Sequence, residues 1–241
     1  PENGQAVYLT EVHELKGVIR VFLQTHSGRF LNMRCVVMES RDNGETWMDA
    51  GAPPYYSDFC FVRGMLRMSN GEIIIPCQYF PISREENMRL VVASQNASTF
   101  RYQKAIWDAE IDHLENNLLI SADEGETYEH IIGPRVAIKG NTGRSWNWTE
   151  PTLAELSDQT IVMLLRVNGT GYLWRSESKD FGRTWTEPTV TDIPNPGNKP
   201  KLLNLPDGRI ALINTPNSGS GMFARNPLAV WISSDDMKTW E

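Results

Sequence analysis

Apolar residues in this chain form short runs that turn dipeptides interrupt. The longest tight runs, at residues 73–75 and 161–165, have the length of buried strands. The interrupting dipeptides predict tight β-hairpin turns at four places: Lys16-Gly17, Asn70-Gly71, Asp158-Gln159 and Asp207-Gly208. The pattern of apolar and polar positions therefore predicts a chain built from β-hairpins.

An eight-residue motif, Ser-x-Asp-x-Gly-x-Thr-aromatic, follows each predicted turn. Its copies are residues 40–47 (SRDNGETW), 121–128 (SADEGETY), 178–185 (SKDFGRTW) and 233–240 (SSDDMKTW, with Met237 in place of glycine). In such a motif the aspartate accepts backbone N–H bonds inside a tight turn, and glycine supplies positive φ. The threonine then begins a strand, and the aromatic ring is buried between neighbouring sheets. We therefore interpret four aspartates as structural rather than catalytic: Asp42, Asp123, Asp180 and Asp235.

Pairing each turn with the motif that follows it gives four units of two hairpins. The units cover roughly residues 1–50, 51–130, 131–190 and 191–241, and each predicts a four-stranded antiparallel blade of one β-propeller domain. The second unit is long, and we interpret residues 81–117 as an insertion between strands that can include helix. The chain stops at Glu241, directly after the fourth motif, so we expect these blades to belong to a larger ring that is incomplete at the C-terminus.

Composition narrows the classes of function. A net charge of −7 and a pI near 5.2 argue against a nucleic-acid binder, because such proteins present a basic face to phosphates. No segment reaches the ~18 consecutive apolar residues of a membrane span. The three cysteines have no metal-ligand spacing, and we interpret them as buried apolar residues, with a disulfide plus one thiol as the alternative: Cys35, Cys60 and Cys77. The start at Pro1 fits a processed product, which favours a secreted or periplasmic location, and the oligomeric state stays open.

The four motifs and their order resemble the Asp boxes of BNR-repeat β-propellers in the sialidase superfamily. The resemblance is most specific over residues 150–240. A glutamate, a turn, an arginine and an Asp box follow one another there as Glu150, Asp158-Gln159, Arg166 and residues 178–185. Residues 198–217 similarly resemble the blade that supplies a further substrate-binding arginine, which is Arg225 in this chain.

This resemblance implies a six-bladed ring in the complete protein and an exo-acting glycoside hydrolase that removes a terminal acidic sugar. It implies that Arg166 and Arg225 grip the carboxylate of sialic acid, which guanidinium groups bind in bidentate fashion. It also implies that Glu150 activates a tyrosine nucleophile, while an aspartate serves as acid/base group. A glycan is then the expected partner, and no cofactor or metal is expected.

Two features depart from the sialidase pattern. Ala6-Val7-Tyr8 stands where sialidases have an Arg-Ile-Pro triplet, and residues 18–39 contain no aspartate where the acid/base group is expected. Two alternatives therefore stay open beside the hydrolase. One is a lyase that acts next to a uronate, with arginine neutralising the carboxylate and a histidine or tyrosine removing the neighbouring proton; His26 is an available histidine. The other is a propeller that binds glycans or proteins without catalysis.

Four more residues are candidates for the same pocket. His26 lies between the inner strands of the first unit, and its ordinary pKa near neutrality suits acid/base work. Arg63, Trp146 and Trp148 lie near the beginnings of units and are expected to bind substrate, the tryptophans by stacking on sugar. Each also has a structural interpretation, since histidine is often structural and tryptophan often fills the space between blades.

Overall fold

The computed structural model describes residues 6–26, 34–51, 60–79, 113–137, 149–167, 169–219 and 222–241. These residues form four antiparallel β-sheets, arranged as the blades of a β-propeller, and one short 3-10 turn (Met222–Ala224). The predicted all-β propeller is confirmed. Within the described part of the chain, no helix is long and apolar enough to cross a membrane.

Blades 1 and 3 each have four strands that pair in sequential order. Blade 1 consists of β1 (Ala6–Leu15), β2 (Val18–His26), β3 (Arg34–Ser40) and β4 (Met48–Asp49). Blade 3 consists of β11 (Thr152–Glu155), β12 (Ile161–Arg166), β13 (Tyr172–Ser178) and β14 (Thr189–Pro194). The first strand of each blade is the inner one, and the inner strands contact each other between blades 1 and 2 and between blades 3 and 4.

Blade 2 has the same plan with divided inner and outer strands. It consists of β5 (Cys60–Val62), β6 (Leu66–Arg67), β7 (Ile73–Tyr79), β8 (His113–Ser121), β9 (Glu129–Ile131) and β10 (Arg135–Ala137). The prediction that residues 113–117 belong to an insertion is wrong, because these residues are part of β8, which pairs with β7. The rest of that predicted insertion, residues 81–112, lies outside the described residues.

Blade 4 consists of β15 (Lys201–Asn204), β16 (Ile210–Asn214) and β17 (Ala229–Ser233). Beyond its Asp box, Glu241 exchanges two 2.9 Å backbone hydrogen bonds with Ile232, at the place where a fourth strand would pair with β17. All four predicted hairpin turns are found, each joining the first two strands of a blade or, in blade 2, β6 and β7.

The Asp boxes have the predicted turn chemistry. In blade 3, Asp180 Oδ1 accepts hydrogen bonds from Ser178 Oγ and Thr184 N, both 2.8 Å long, and Asp180 Oδ2 accepts one of 2.6 Å from Thr184 Oγ1. The other three boxes repeat these bonds. Bonds from the box threonine lower the pKa of three of the carboxyl groups to about 2: Asp42, Asp123 and Asp235. The box aspartates are occupied within their own turns, as expected of structural residues.

Three apolar clusters hold neighbouring blades together. Phe22 and Val37 of blade 1 pack against the blade 2 residues Cys60, Val62, Ile75, Cys77 and Leu119. The other two clusters join blade 2 to blade 3 and blade 3 to blade 4. The box aromatics Tyr128, Trp185 and Trp240 pack against these clusters, as predicted.

Two details of the predicted core are wrong. Trp47 is 44% exposed, because no sheet among the described residues packs against its face of blade 1. Cys35 is only half-buried, whereas Cys60 and Cys77 are fully buried as expected; all three carry thiols.

Candidate functional site

Glu150 and Arg166 meet at one end of blade 3, opposite its Asp box. The second strand β12 begins beside the box, where Ile161 pairs with Ser178, and ends at Arg166. Thr149, which precedes Glu150, accepts a 2.8 Å backbone hydrogen bond from Arg166. We call this end of the four blades, opposite the Asp boxes, the upper end. The antiparallel hairpin therefore brings together two residues that are far apart along the chain.

The Glu150–Arg166 pair is buried and direct. Arg166 Nη1 donates a 2.5 Å hydrogen bond to Glu150 Oε2, and each residue is 7% exposed. Burial lowers the pKa of the Arg166 guanidinium, and the positive charges of Arg225 and Arg63 add to that effect, while Glu150 opposes it. The charges of Arg225 and Arg63 thus lie close enough to Arg166 to lower its pKa.

Glu150 also has an unusual backbone. Its φ is +31°, in a region that L-residues other than glycine rarely occupy, and Pro151 further restricts the residue before it. Such a conformation costs on the order of 1–3 kcal/mol and persists only where the surroundings enforce it, often at functional sites. The backbone strain and the buried pair therefore fall on the same residue.

Among the described residues, Arg63 has the largest fully buried side chain, at 1% exposure. Its Nη2 lies 3.6 Å from Glu150 Oε1 and donates a 3.1 Å hydrogen bond to Gln78 Oε1. Its guanidinium carbon lies 4.8 Å from the centre of the Phe61 ring, in cation–π range. Arg63 therefore lies next to Glu150, and its guanidinium is enclosed by protein.

Arg225 reaches the same end from the loop between β16 and β17. It follows the 3-10 turn, is exposed, and donates a 2.7 Å hydrogen bond from Nη2 to the Gly197 carbonyl. Asn195 fixes that carbonyl's loop, because its Oδ1 accepts bonds from the backbone N–H groups of Gly197 and Asn198, and its amide donates to Asn214. A network of asparagine hydrogen bonds thus holds the loop whose Gly197 carbonyl accepts a bond from the exposed Arg225.

Two lysines that the sequence analysis did not identify also lie at this site. Lys199 and Lys201 lie 3.9 Å and 3.5 Å from Glu11 Oε2 on β1. Burial lowers the pKa of Lys199, and the charges of Arg63 and Lys201 add to this, while Glu11 and Glu150 oppose it. The signal was present in the sequence, since residues 150–153 (EPTL) and 199–202 (KPKL) have the same form one blade apart.

The remaining predicted site residues are placed less completely. His26 is the last residue of β2 and pairs with Ala6, so its backbone lies at the upper end. Trp146 and Trp148 lie outside the described residues. In the parts of the chain that the structure describes, no group of three or more His, Cys, Asp or Glu side chains is arranged to hold a metal ion.

The arrangement is suited to binding anions. Five cationic side chains and two carboxylates share the upper end: Arg63, Arg166, Arg225, Lys199, Lys201, Glu150 and Glu11. Partial burial strengthens their attraction for an oxyanion, because little water screens it. A protein with a net charge of −7 therefore has a locally cationic site.

Solved structures of three β-propellers resemble this one. A Hadza microbial sialidase, Hz136, has a TM-score of 0.59 at 18% identity, over 98% of this chain and 44% of that chain. The intramolecular trans-sialidase from Ruminococcus gnavus has a TM-score of 0.53 at 20% identity, over 92% of this chain and 40% of that one. An endo-arabinase from Bacteroides thetaiotaomicron has a TM-score of 0.55 at 16% identity, over 94% and 74%. At such identities the likeness establishes the propeller fold.

The chain spans less than half of the length of the two sialidase structures. A comparison with curated protein sequences gave no match. The BNR repeat-like domain family, in contrast, matches residues 6–241, which include all four Asp boxes and every described site residue. This chain therefore belongs to the BNR repeat-like domain family.

Proposed function

We propose that this chain forms the substrate-binding end of an exo-acting glycoside hydrolase of the sialidase type, which removes a terminal acidic sugar from a glycan. The observation that carries the proposal is the buried Glu150–Arg166 pair with the charge of Arg225 beside it. Propeller neighbours that are sialidases and an arabinase support a glycosidase over other uses of the fold.

Arg166 and Arg225 bind the carboxylate of the sugar. Planar guanidinium groups match a carboxylate in two parallel hydrogen bonds and stay charged at any working pH. Arg166 is held by Glu150, whereas the Arg225 guanidinium makes one hydrogen bond among the described residues, to Gly197 O. Arg225 thus has further N–H donors for a ligand. Arg166 offers the carboxylate a contact held in place by Glu150, and Arg225 offers an exposed one.

Glu150 activates the nucleophile. One of its oxygens, Oε2, is bonded to Arg166, while Oε1 is 3.6 Å from Arg63 Nη2, beyond ordinary hydrogen-bond length. Oε1 can therefore accept the proton of a hydroxyl nucleophile such as tyrosine, as the family resemblance implies. Arg63 and Arg166 keep the carboxylate oriented for that transfer, and the strained backbone of Glu150 fixes its position.

The experiment incubates the complete protein with sialylated and uronate-containing glycans and identifies the products by mass spectrometry. Wild-type protein is compared with Glu150→Gln, Arg225→Ala and, as a control, Arg209→Ala, which removes an exposed arginine at a hairpin turn of the same blade. We expect free sialic acid from the wild type and the control. Loss of a charge-assisted contact in Arg225→Ala should lower kcat/KM by about 10- to 100-fold.

Each other outcome contradicts the proposal in its own way. An unsaturated uronate product would assign lyase chemistry, for which His26 at the end of β2 is the candidate base. Binding without cleavage across the panel would assign a glycan-binding propeller. Equal activity of Arg225→Ala and Arg209→Ala would remove Arg225 from the site.

A further inference from the structure

Lys199 occupies the position in blade 4 that Glu150 occupies in blade 3. The two blades have the same register, because Ile161 pairs with Ser178 of one Asp box and Ile210 pairs with Ser233 of the next. Counting back along the chain from each isoleucine to the residue before the inner-strand proline leads to Glu150 in one blade and Lys199 in the other. Neighbouring blades therefore present a carboxylate and an ammonium group at equivalent places of the upper end.

The two lysines of blade 4 have little to bind within the protein. Each ammonium group has three hydrogen-bond donors, yet neither makes a hydrogen bond among the described residues. Among the described residues, Glu11 has the only carboxylate within 4 Å of these ammonium groups. Its Oε2 lies 3.9 Å from Lys199 Nζ and 3.5 Å from Lys201 Nζ. Both lysines are about one-third exposed, so solvent or a ligand reaches them.

The surroundings of the lysines add positive charge and leave space. Arg63 and Lys201 act on Lys199 as like charges. His13 adds no charge at neutral pH, because burial and the nearby Lys201 lower its pKa to about 4. A Cβ atom at Gly64 would lie 3.3 Å from Lys201 Nζ, so glycine at this position leaves room around the ammonium group.

We propose that Lys199 and Lys201 form a second oxyanion subsite, which binds a sulfate, phosphate or carboxylate group carried by the sugar next to the one held by Arg166 and Arg225. The place of this subsite in substrate recognition rests on the proposed function. The subsite extends that function from a glycan with one anionic group to a glycan with two. An oxyanion between the lysines supplies at hydrogen-bond distance the negative charge that Glu11 gives Lys199 and Lys201 only at 3.9 Å and 3.5 Å. The oxyanion also accepts hydrogen bonds from the two ammonium groups, which have no hydrogen-bond acceptor among the described residues.

The first test measures inorganic sulfate at the lysines themselves and does not depend on cleavage. The lysines of the complete protein are reductively methylated with a 13C label, which keeps their charge, and their signals are followed by NMR during a sulfate titration. Lys199→Arg and Lys201→Arg variants assign the two signals, since each removes one of them. Lys179, exposed in the Asp box of blade 3 at the opposite end, is the reference.

We expect the Lys199 and Lys201 signals to move along one saturable curve while the Lys179 signal shows only the general effect of salt. Lys199→Met should weaken sulfate binding, measured at Lys201, by about tenfold, the loss of one charge-assisted contact. Glu11→Gln should strengthen it by about threefold, because the carboxylate competes with the anion for the lysines. Equal shifts at all three lysines would overturn the subsite. The subsite would also be overturned if Arg225→Ala abolished saturable sulfate binding while Lys199→Met left it intact.

The second test separates the sources of the anionic group and the two proposals. Binding of 3′-sialyllactose is compared with that of the same trisaccharide bearing a sulfate, a phosphate or an added carboxylate on its galactose. We expect wild-type protein to prefer at least one doubly anionic form and Lys199→Met to lose that preference. A response to inorganic sulfate without any binding of sialyllactose would contradict the proposed function and keep the subsite. Cleavage of sialyllactose without a response at the lysines would do the reverse.

Discussion

At the scale of single residues, the two arginines beside Glu150 have different surroundings. Arg166 is bonded to the carboxylate at 2.5 Å, whereas Arg63 is 3.6 Å from it and bonded to Gln78. Removing one member of a buried ion pair costs about 3–5 kcal/mol, because the other charge stays buried without its partner. Arg63 stays 3.6 Å from Glu150 in an Arg166→Met variant, so we expect this variant to lower the free energy of unfolding by about 3 kcal/mol, the lower end of that range, measured by urea denaturation.

The matching double variant is the control for this prediction. Glu150→Gln with Arg166→Met removes both charges, so its cost should be clearly smaller than the sum of the two single costs. A double-mutant cycle measures the difference. Additive losses would mean that the pair contributes no coupling and that the single variants act only through lost packing.

Gly182 in the blade 3 Asp box provides a second prediction at this scale. Its φ is +90°, and a Cβ atom there would lie 2.5 Å from Ile74 Cδ1 of blade 2. Gly71 has nearly the same φ, +89°, but nothing lies within 4 Å of its Cβ position. We expect Gly71→Ala to cost about 1–2 kcal/mol of backbone strain and Gly182→Ala to cost about 1–3 kcal/mol more for the overpacked interface. Chemical denaturation of both variants tests this, and equal costs would contradict the packing argument.

At the scale of elements, the Asp-box turns make stability depend on acidity. The pKa of Asp42, Asp123 and Asp235 is about 2 in the folded protein, chiefly because box threonines donate hydrogen bonds to the carboxylates, against about 3.9 in an unfolded chain. A lowered folded pKa contributes stability that is complete above the unfolded value and is lost as the pH falls toward about 2. We expect urea midpoints to fall between about pH 4 and pH 2.

A variant that replaces one box aspartate with asparagine is the control for this pH dependence. The amide side chain of Asp235→Asn cannot titrate, so this variant should be less stable than wild type at neutral pH and should lose less stability on acidification, measured by the same urea midpoints. An unchanged slope over the acidic range would show that the box carboxylates do not contribute to acid unfolding.

The elements also show which features a sequence can predict. Turn dipeptides and Asp boxes are local, so residues 40–47 or 178–185 identify a hairpin without knowledge of any other blade. The burial of Arg63 depends on Gln78, which lies on another strand, and on Glu150, which lies in another blade. The residues next to Arg63 in the sequence therefore gave no indication that its side chain is buried. Lys199 was missed although the sequence carries its signal, because the likeness between residues 150–153 and 199–202 indicates a shared position only once the register of the two blades is known.

Register also explains a polar ring that the sequence analysis did not predict. Gln24, Gln78, Arg166 and Thr215 lie at equivalent positions near the end of the second strand in the four blades, and all are buried. Strands that are apolar over most of their length thus turn polar at the upper end. The apolar runs at residues 73–75 and 161–165 located strands β7 and β12, whereas the polar residues of the site lie where such runs end.

At the scale of the whole molecule, each pair of neighbouring blades shares one apolar cluster. Leu164 of β12 is fully buried in the cluster that joins blades 3 and 4, together with Leu202, Ile210 and Leu212 of blade 4. Truncation of a buried leucine to alanine typically costs about 2–5 kcal/mol, because it removes contacts and leaves a cavity. Since blade 4 supplies part of that cavity's wall, we expect Leu164→Ala to destabilise both blades.

Hydrogen exchange read by mass spectrometry tests whether the blades are coupled in this way. Leu164→Ala should speed exchange in β16 of blade 4 as well as in β12, while Leu203→Ala, at a position 41% exposed, should change neither by more than about 1 kcal/mol of opening free energy. An effect confined to blade 3 would show that the blades open independently. In that case Glu150 and Arg166 of blade 3 would not depend on blade 4 for their position, and Arg225 and Lys199 would have to be aligned with them by the ligand.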